Sequence, residues 1–492
     1  MENGTLLAAV DLGSNSYRLE IGHYDHGQIH RSEYIKETVR QGNGLDEARN
    51  LTAEAMQRGW DCLARFGERL AGFRRHQVRA VATQTLREAR NRDEFLRRAQ
   101  QVLGFPIEVI SGREEARLIY LGVAHLLPQT DERRLVVDIG GRSTELILGC
   151  QFDTAVTESY RVGSAAWSTK YFPHGHFTPA AFESAEVAAK AVLDGALSTY
   201  RRESWDVAHG SSGTIGAVGD ILKAAGWETI NRDGLDWLRE NLLASRSADK
   251  LRLEGLKEDR RPVIGGGLSV LRAVFDLLEI EEMRPALGAL RHGALFDLLD
   301  REHGERDIRS TTVQRLAAKF EVDALQAQRV SKVACRLLRH LRGQDDSADA
   351  VRQERKLGWA AQLHEIGSAV SHSDYHKHGA YILDNTDALG FAQPELHRLG
   401  LLVLGHRGKL RKLEADFEDE RFVHQLLCLR LAVILCHARR DPDLKGLQVH
   451  AAGHQVTISV RPEWAEAFPQ SAHLLREEVV AWQKTPWALV LA

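Results

Sequence analysis

No G-x-x-x-x-G-K-[ST] sequence occurs in the 492 residues, so the loop that cradles phosphates in P-loop enzymes is excluded. Cysteine is scarce: Cys62, Cys150, Cys335, Cys428 and Cys436 are odd in number, scattered, and never form a C-x-x-C pair. That excludes a disulfide framework and a zinc site, and reads as reduced thiols in a cytosolic protein. Long apolar runs are missing too. The longest, Leu426 to Cys436, is interrupted by Arg430 and is about half the length that spans a bilayer, so it reads as a buried helix with no integral membrane segment. MENGT leads straight into a strand-like segment without the basic and apolar regions of a signal peptide, which points to a cytoplasmic protein. Nor does one charge dominate: a formal net charge of −3 gives no global pull on polyanions such as nucleic acid, so any anionic ligand must be held locally. The basic pairs Arg133–Arg134, Arg201–Arg202 and Arg260–Arg261 are candidates, though such pairs are more often solvated surface. With 43% apolar and 27% charged residues, the chain reads as an ordinary folded protein of about three domains.

What is present is a repeat. LLAAVDLGSN (Leu6 to Asn15) and LVVDIGGRST (Leu135 to Thr144) each run apolar into an aspartate, an apolar residue, glycine and a small polar cluster, and each is followed by a second apolar run. Both read as strand, tight turn and returning strand. An aspartate ending a buried strand offers oxygen to a hard cation, and glycines and hydroxyls in the turn let backbone amides approach a phosphate. Two such turns suggest similar half-domains facing one phosphate-bearing ligand. A third loop, GSSGT at Gly210 to Thr214, follows an apolar strand and opens a helix, where amides and helix N-terminus favour an anion.

Spacing predicts a helix over Thr52 to Ala71, a strand over Gln77 to Thr83, a helix over Asn91 to Leu103 and a strand over Pro106 to Ile110. Helical spacing runs on through Gly266 to Leu299, after a turn at Gly265, Gly266 and Gly267. Beyond about Arg309 strand signals vanish until Gln455 to Val460, which makes the C-terminal part mostly helical. In SGREEARLIYLG, Ser111 and Glu114 form a capping box, which gives Glu114 a structural task. Glu115 is rotated about 100° around that helix and is free for proton abstraction. The competing reading is a surface glutamate.

DLGSNSYRL, VATQTLREARN, VISGREEARLIYLGVAH, VVDIGGRSTEL, GSSGTI and GALRHGALFDLL, in that order, resemble the exopolyphosphatase and guanosine pentaphosphate phosphohydrolase family. The resemblance covers essentially the whole chain. It implies an α/β architecture of two actin-like (ribonuclease-H-like) domains at 1–127 and 128–304, an HD-like helical domain at 305–445, and a small C-terminal α+β piece at 446–492. It also implies Mg2+, a homodimer, and removal of terminal phosphates from inorganic polyphosphate or from pppGpp. The family's general base matches Glu115. Its metal- and phosphate-site residues match Asp138, Gly140 and Glu145, with Gly141, Arg142 and Ser143 in the same turn; the first turn's counterparts are Asp11, Gly13, Ser14 and Asn15. Asp11, Asp138 and Glu145 are the implied metal ligands. Arg87 matches the family's T-L-R arginine, and Gly210, Ser211, Ser212, Gly213 and Thr214 its second phosphate loop.

Arg142 departs from the family pattern, which carries a third glycine or another small residue there. If the position needs positive φ the arginine is strained; its side chain is expected either to reach a phosphate or to point to solvent. In the helical domain the dipeptide matching the metal-binding His-Asp is His364–Glu365, so structural histidines or a basic rim around His376, Lys377, His378, Arg407, Lys409, Arg411 and Lys412 are expected in preference to a second metal centre. The HSDYHKHGAYILDNTDALGF stretch looks more like the exopolyphosphatase branch, so polyphosphate hydrolysis is the expected activity. A pppGpp phosphohydrolase and a non-catalytic polyphosphate-binding sensor are the alternatives.

Overall fold

Segments buried on both faces read as unbroken apolar runs, and the two central strands of the N-terminal unit are such runs. The computed structural model describes residues 2–302, 306–343, 345 and 347–492. It contains two compact units, Met1–Asp307 and Ile308–Ala492. The boundary expected at 304/305 lies outside the described residues.

The first sheet of the N-terminal unit has β1 (Leu6–Leu12), β2 (Tyr17–Asp25), β3 (Gln28–Glu37), β4 (Val78–Ala82) and β5 (Ile107–Val109) in the order β3-β2-β1-β4-β5. The second has β6 (Arg133–Ile139), β7 (Thr144–Cys150), β8 (Asp153–Tyr160), β9 (Val207–Ser211), β10 (Ile230–Asn231) and β11 (Glu282–Pro285) in the order β10-β11-β9-β6-β7-β8. Each is built alike: a buried central strand, β1 or β6, turns back antiparallel into its neighbour, the meander continues to an edge strand, and a parallel strand flanks the other side. The sequence predicts the hairpins. It misses β3, because an edge strand facing water can carry polar residues such as those of QIHRSEYIKE.

The helices of this unit are α1 (Ala53–Arg69), α2 (Gln84–Glu88), α3 (Arg92–Leu103), α4 (Gly112–His125), α5 (Ser164–Tyr171), α6 (Pro179–Leu193), α7 (Ser212–Ala224), α8 (Arg232–Ser245), α9 (Ile264–Leu277) and α10 (Leu290–Glu302). Thr52 starts α1 by accepting from Ala55 N at 3.3 Å. The two sheets are joined through α4 and α10. Val81 and Ile110 from the first half and Val136 and Ile147 from the second share one buried cluster with Leu118 and Leu290. α4 and α10 approach to backbone contact, since a Cβ at Gly122 would lie 2.7 Å from Gly293 N. Truncating Leu118 to alanine at this junction is expected to cost about 2–5 kcal/mol.

Two expectations need correction. Gly265, Gly266 and Gly267 lie inside α9, not in a turn before it: they are bare because Phe172, Phe177, Ser164, Ser168 and Thr214 pack against that face. The helical spacing over Gly266 to Leu299 is interrupted by β11, whose Met283 pairs with Ala208 of β9.

The C-terminal unit holds α11 (Ile308–Lys319), α12 (Ala324–Arg342), α13 (Ala348–Gln362), α14 (Tyr375–Asp384), α15 (Gln393–Gly405) and α16 (Glu420–Leu435). After these come β12 (Leu447–Ala452), β13 (Gln455–Val460), α17 (Pro462–Ala467), α18 (Pro469–Trp482) and β14 (Ala488–Leu491). Strands β12 and β14 go beyond the sequence expectation: β12 (LQVHAA) has a broken apolar pattern, and β14 (ALVL) is only four residues long. The apolar stretch at Leu426 lies in α16, and Leu426, Leu427 and Leu431 share one core with Leu447, Val456 and Trp482. Arg430, which breaks that stretch, is buried and paired with Glu478. Among the described residues no helix is long and apolar enough to cross a membrane.

Candidate active site

Both hairpin turns end facing each other. A Cβ at Gly141 would stand 3.4 Å from Ser14 Cβ and 3.8 Å from Asn15 Cβ, so the second turn touches the first. The first turn is held from outside: Gly42 N donates to Ser14 O and Arg40 N to Asn15 O, each at 2.8 Å, and Thr85 Oγ1 donates to Ser14 Oγ at 2.8 Å. At Gly13 a Cβ would approach Ser16 O to 2.9 Å, so the tight turn excludes a larger residue. The second turn closes on Gly140 N to Ser143 O, 2.9 Å. The first amides of α5 fix it: Ser164 N donates to Gly140 O at 2.9 Å, and Ala165 N and Ala166 N to Gly141 O at 3.0 Å.

The third loop sits at the end of β9, beside β6, with Ser211 in register with Asp138. Ser211 is buried and donates to Gly288 O at 2.9 Å. Ser212 adopts φ +89° and caps α7, its Oγ accepting from Thr214 N at 3.2 Å and Ile215 N at 3.3 Å. The Arg260 guanidinium lies against Gly213, where any Cβ would displace it. Of the three basic pairs in the sequence, this is the one whose cation the structure brings to a phosphate-type loop.

Four carboxylates belong to the site. In the first hairpin Asp11 stands opposite Arg18 in the strand register, and Arg18 Nη1 donates to its Oδ2 at 2.9 Å. In the second, Asp138 stands opposite Glu145. Burial pushes the Asp138 carboxyl up to about 7, with the charges of Glu115 and Asp11 adding and Arg18 opposing. Burial likewise holds Glu145 well above the usual range, with Glu115 and Asp138 adding and the Ser159 hydroxyl, 2.7 Å away, opposing. Glu115 lies in the first turn of α4, where Ser111 accepts from Glu114 N at 3.2 Å. The Glu114 carboxylate binds Arg117 at 2.8 Å and Arg79 at 3.3 Å, and Glu115 takes no part in that cluster.

Glu115 is buried, so it is not the surface glutamate of the competing reading. Arg87 Nη1 lies 2.8 Å from its Oε2, a charge contact without hydrogen-bond alignment, and that oxygen has no hydrogen-bond partner among the described residues. Burial raises the Glu115 carboxyl, Asp11 adds, and Arg87 opposes. Among the described residues no three His, Cys, Asp or Glu side chains converge closely enough to hold a metal ion by themselves.

Arg142 has no positive φ, so its backbone is unstrained. Its guanidinium goes neither to solvent nor to an open phosphate position: Nη2 donates to Glu88 Oε2 at 2.8 Å and Nη1 to Gly42 O at 3.3 Å. Sequence reasoning missed Arg18 and Glu88. Arg18 was readable, since a four-residue turn, Gly13 to Ser16, places it opposite Asp11; Glu88 was not, because its partner lies 54 residues away. In the C-terminal unit His364 is a satisfied interior histidine, its Nδ1 hydrogen-bonded to Ala361 O at 2.7 Å, and His376 is buried, so neither forms a basic rim.

The Ppx/GppA phosphatase family matches residues 21–302, and Ppx/GppA phosphatase domain III matches residues 308–479. The guanosine-5'-triphosphate,3'-diphosphate pyrophosphatase of Vibrio parahaemolyticus is 38% identical over 490 residues, 99% of this chain and 98% of its own. The protein of the same name from Pseudoalteromonas translucida is 37% identical over 98% of both chains. Among solved structures, an exopolyphosphatase from Cytophaga hutchinsonii superposes with a TM-score of 0.54 at 24% identity, covering 60% of this chain and 98% of its own. The Aquifex aeolicus Ppx/GppA family member gives 0.51 at 23% identity, covering 61% and 98%. These two likenesses establish the fold alone. The expectation of an exopolyphosphatase is overturned by the full-length relatives, which carry the guanosine name; the histidine stretch behind that expectation puts His376 into the protein interior. By motif order, fold and full-length similarity, the chain belongs to the Ppx/GppA phosphatase family.

Proposed function

We propose that this protein hydrolyses the terminal 5′ phosphate of pppGpp, releasing phosphate and ppGpp. The observation that carries the substrate is similarity along 99% of the chain to a protein named guanosine-5'-triphosphate,3'-diphosphate pyrophosphatase. The geometry supports the chemistry. The turns at Gly13–Asn15 and Gly140–Ser143 and the loop at Gly210–Thr214 present backbone amides and hydroxyls to phosphate oxygens. Arg18, Arg87 and Arg260 supply positive charge for a substrate with five phosphates.

Glu115 is the general base. The carboxylate is held by one cation, Arg87, and not by the Ser111 cap or the Glu114 cluster, which leaves it the carboxylate of this helix turn that can take the proton of an attacking water. Its raised carboxyl brings it toward the working pH, where a base is most effective. Such a base contributes about 10²- to 10⁴-fold in rate. As the water oxygen bonds to the terminal phosphorus, the bond to the bridging oxygen breaks and the leaving ppGpp carries that charge away.

The carboxylates Asp138 and Glu145, with Asp11, fit Mg2+: all three are buried hard oxygen donors, and burial with neighbouring carboxylates holds Asp138 and Glu145 up, in a site too sparse to hold a metal without further ligands. That is the donor pattern of Mg2+, which takes one or two carboxylates and completes its shell with substrate phosphates and water. When bound it supplies positive charge to the phosphoryl oxygens.

The test compares kcat/KM for pppGpp with that for inorganic polyphosphate on the same preparation. A clear preference for pppGpp, with ppGpp as product, is expected. Preference for polyphosphate, with a rate that falls steeply as salt rises, would reverse the reading.

A further inference from the structure

Arg142 stands in the phosphate-facing turn of the second hairpin, yet its guanidinium is engaged by the other half of the unit. Its stem crosses Gly42, where a Cβ would come within 2.9 Å of Arg142 Cδ. Beyond that crossing lies a continuous line of contacts. Arg142 Nη2 donates to Glu88 Oε2 at 2.8 Å. The other Glu88 oxygen accepts from Gln84 Nε2 at 2.6 Å. The amide oxygen of Gln84 then accepts twice from Arg87, at 3.1 Å from Nε and 2.7 Å from Nη2. Arg87 Nη1 also donates to Ile110 O at 2.9 Å and lies 2.8 Å from Glu115 Oε2. Arg142 therefore ends a chain of four contacts whose other end is the general base.

The direction of each contact matters. Gln84 can offer its carbonyl oxygen to Arg87 only while its NH₂ end faces Glu88, and Glu88 fixes that choice as an ionised acceptor. Glu88 stays ionised although half buried, because Gln84 and Arg142 both bind it, and Arg161 adds positive charge. Without Arg142 the carboxylate loses the one cation paired directly with it among the described residues. The turn beneath is rigid as well: Gly163 packs on the Arg142 backbone, where a Cβ would come within 2.5 Å of Arg142 N. The guanidinium is thus delivered from a fixed base onto a short helix, α2, that has no side-chain cap of its own.

We infer that Arg142 is a positioning residue that, through Glu88 and Gln84, sets where the Arg87 guanidinium sits against Glu115. This rests on Glu115 acting as the base under the proposed function. It separates two roles for one arginine. A phosphate-binding arginine affects substrate affinity and is indifferent to Glu88. A positioning arginine affects the chemical step and depends on Glu88.

The experiment is a double-mutant cycle, Arg142→Gly, Glu88→Gln and both, with Arg142→Lys for rescue, measured as kcat and KM on pppGpp with Mg2+. A displacement of about 1 Å at a reacting group costs on the order of 100-fold, so a partial loosening predicts a kcat drop of about 10-fold in Arg142→Gly with KM within about twofold. The double variant is expected to be no slower than the worse single one, and Arg142→Lys to recover most of kcat by restoring a cation to Glu88. A rise in KM at constant kcat, or additive effects in the cycle, overturns the proposal in favour of direct phosphate binding. Hydrogen exchange of the Gln84–Glu88 amides in the same variants keeps the two readings apart. Faster exchange in Arg142→Gly is expected whether or not pppGpp is cleaved, and unchanged exchange rejects the network. Should wild type release no phosphate from pppGpp, the functional reading fails while the exchange result still decides the link from Arg142 to α2.

Discussion

The two hairpins of the N-terminal unit share strand order, turn and aspartate, and differ in the residue across the ladder from that aspartate. Opposite Asp11 stands Arg18; opposite Asp138 stands Glu145. In the first half the buried carboxylate is neutralised at 2.9 Å. In the second, two buried carboxylates face each other, and burial and repulsion drive both upward. One scaffold used twice thus yields a charge-paired side and an anionic side suited to a hard cation. The asymmetry lies in one register position rather than in the fold.

The most severe way to break the contrast is to make the second hairpin like the first. Glu145→Arg is expected to pair with Asp138, keep the unit folded by circular dichroism, and lower steady-state phosphate release from pppGpp by about 10³-fold or more. A smaller loss would show that the anionic side contributes little. Next, Asp138→Asn is expected to remove activity while stabilising the metal-free protein. Between about pH 4 and 7 the unfolded chain has released the Asp138 proton and the native protein keeps it, so wild-type stability falls as pH rises through that window and levels off above it. The variant escapes that fall. Its gain in urea unfolding is near zero at pH 3.5 and grows to at most about 4 kcal/mol at pH 8, since one pKa unit is about 1.4 kcal/mol. A gain independent of pH would mean that Asp138 titrates normally.

On the charge-paired side, Arg18→Gln leaves Asp11 without its partner and removes a cation proposed to meet the substrate, so KM for pppGpp is expected to rise about 10- to 100-fold, equivalent to about 1.5–3 kcal/mol for a charge-assisted hydrogen bond. The smallest effect is in pH. Glu115 must be ionised to accept a proton, and its carboxyl is raised by burial, so kcat of the wild type is expected to climb with pH along a limb lying above the ordinary glutamate value of about 4.3. A limb at or below that value would place the base elsewhere.

Much of this was legible in the sequence, because a strand, a tight turn and a cap are local. DLGSN and DIGGRST announce their hairpins, and the Ser111 cap separates Glu115 from Glu114, although the Glu114 carboxylate binds Arg117 and Arg79. What the sequence hid is long-range. The fate of Arg142 depends on Gly42 and Glu88, 100 and 54 residues away, and Arg260 reaches Gly213 only through the fold. The edge strand β3 carried no apolar stripe to read. The branch was misread because it rested on the likeness of one stretch of the C-terminal unit to the exopolyphosphatase branch, whereas the similarity that bears on it runs along the whole chain.

Phosphate release from pppGpp with Mg2+ by wild type and by Glu115→Gln, with the nucleotide product identified, tests both the substrate and the base. One phosphate per pppGpp, accumulation of ppGpp, and a rate about 10²- to 10⁴-fold lower in the variant are expected. Release of no phosphate from pppGpp by the wild type, or an equal rate in Glu115→Gln, would contradict that expectation.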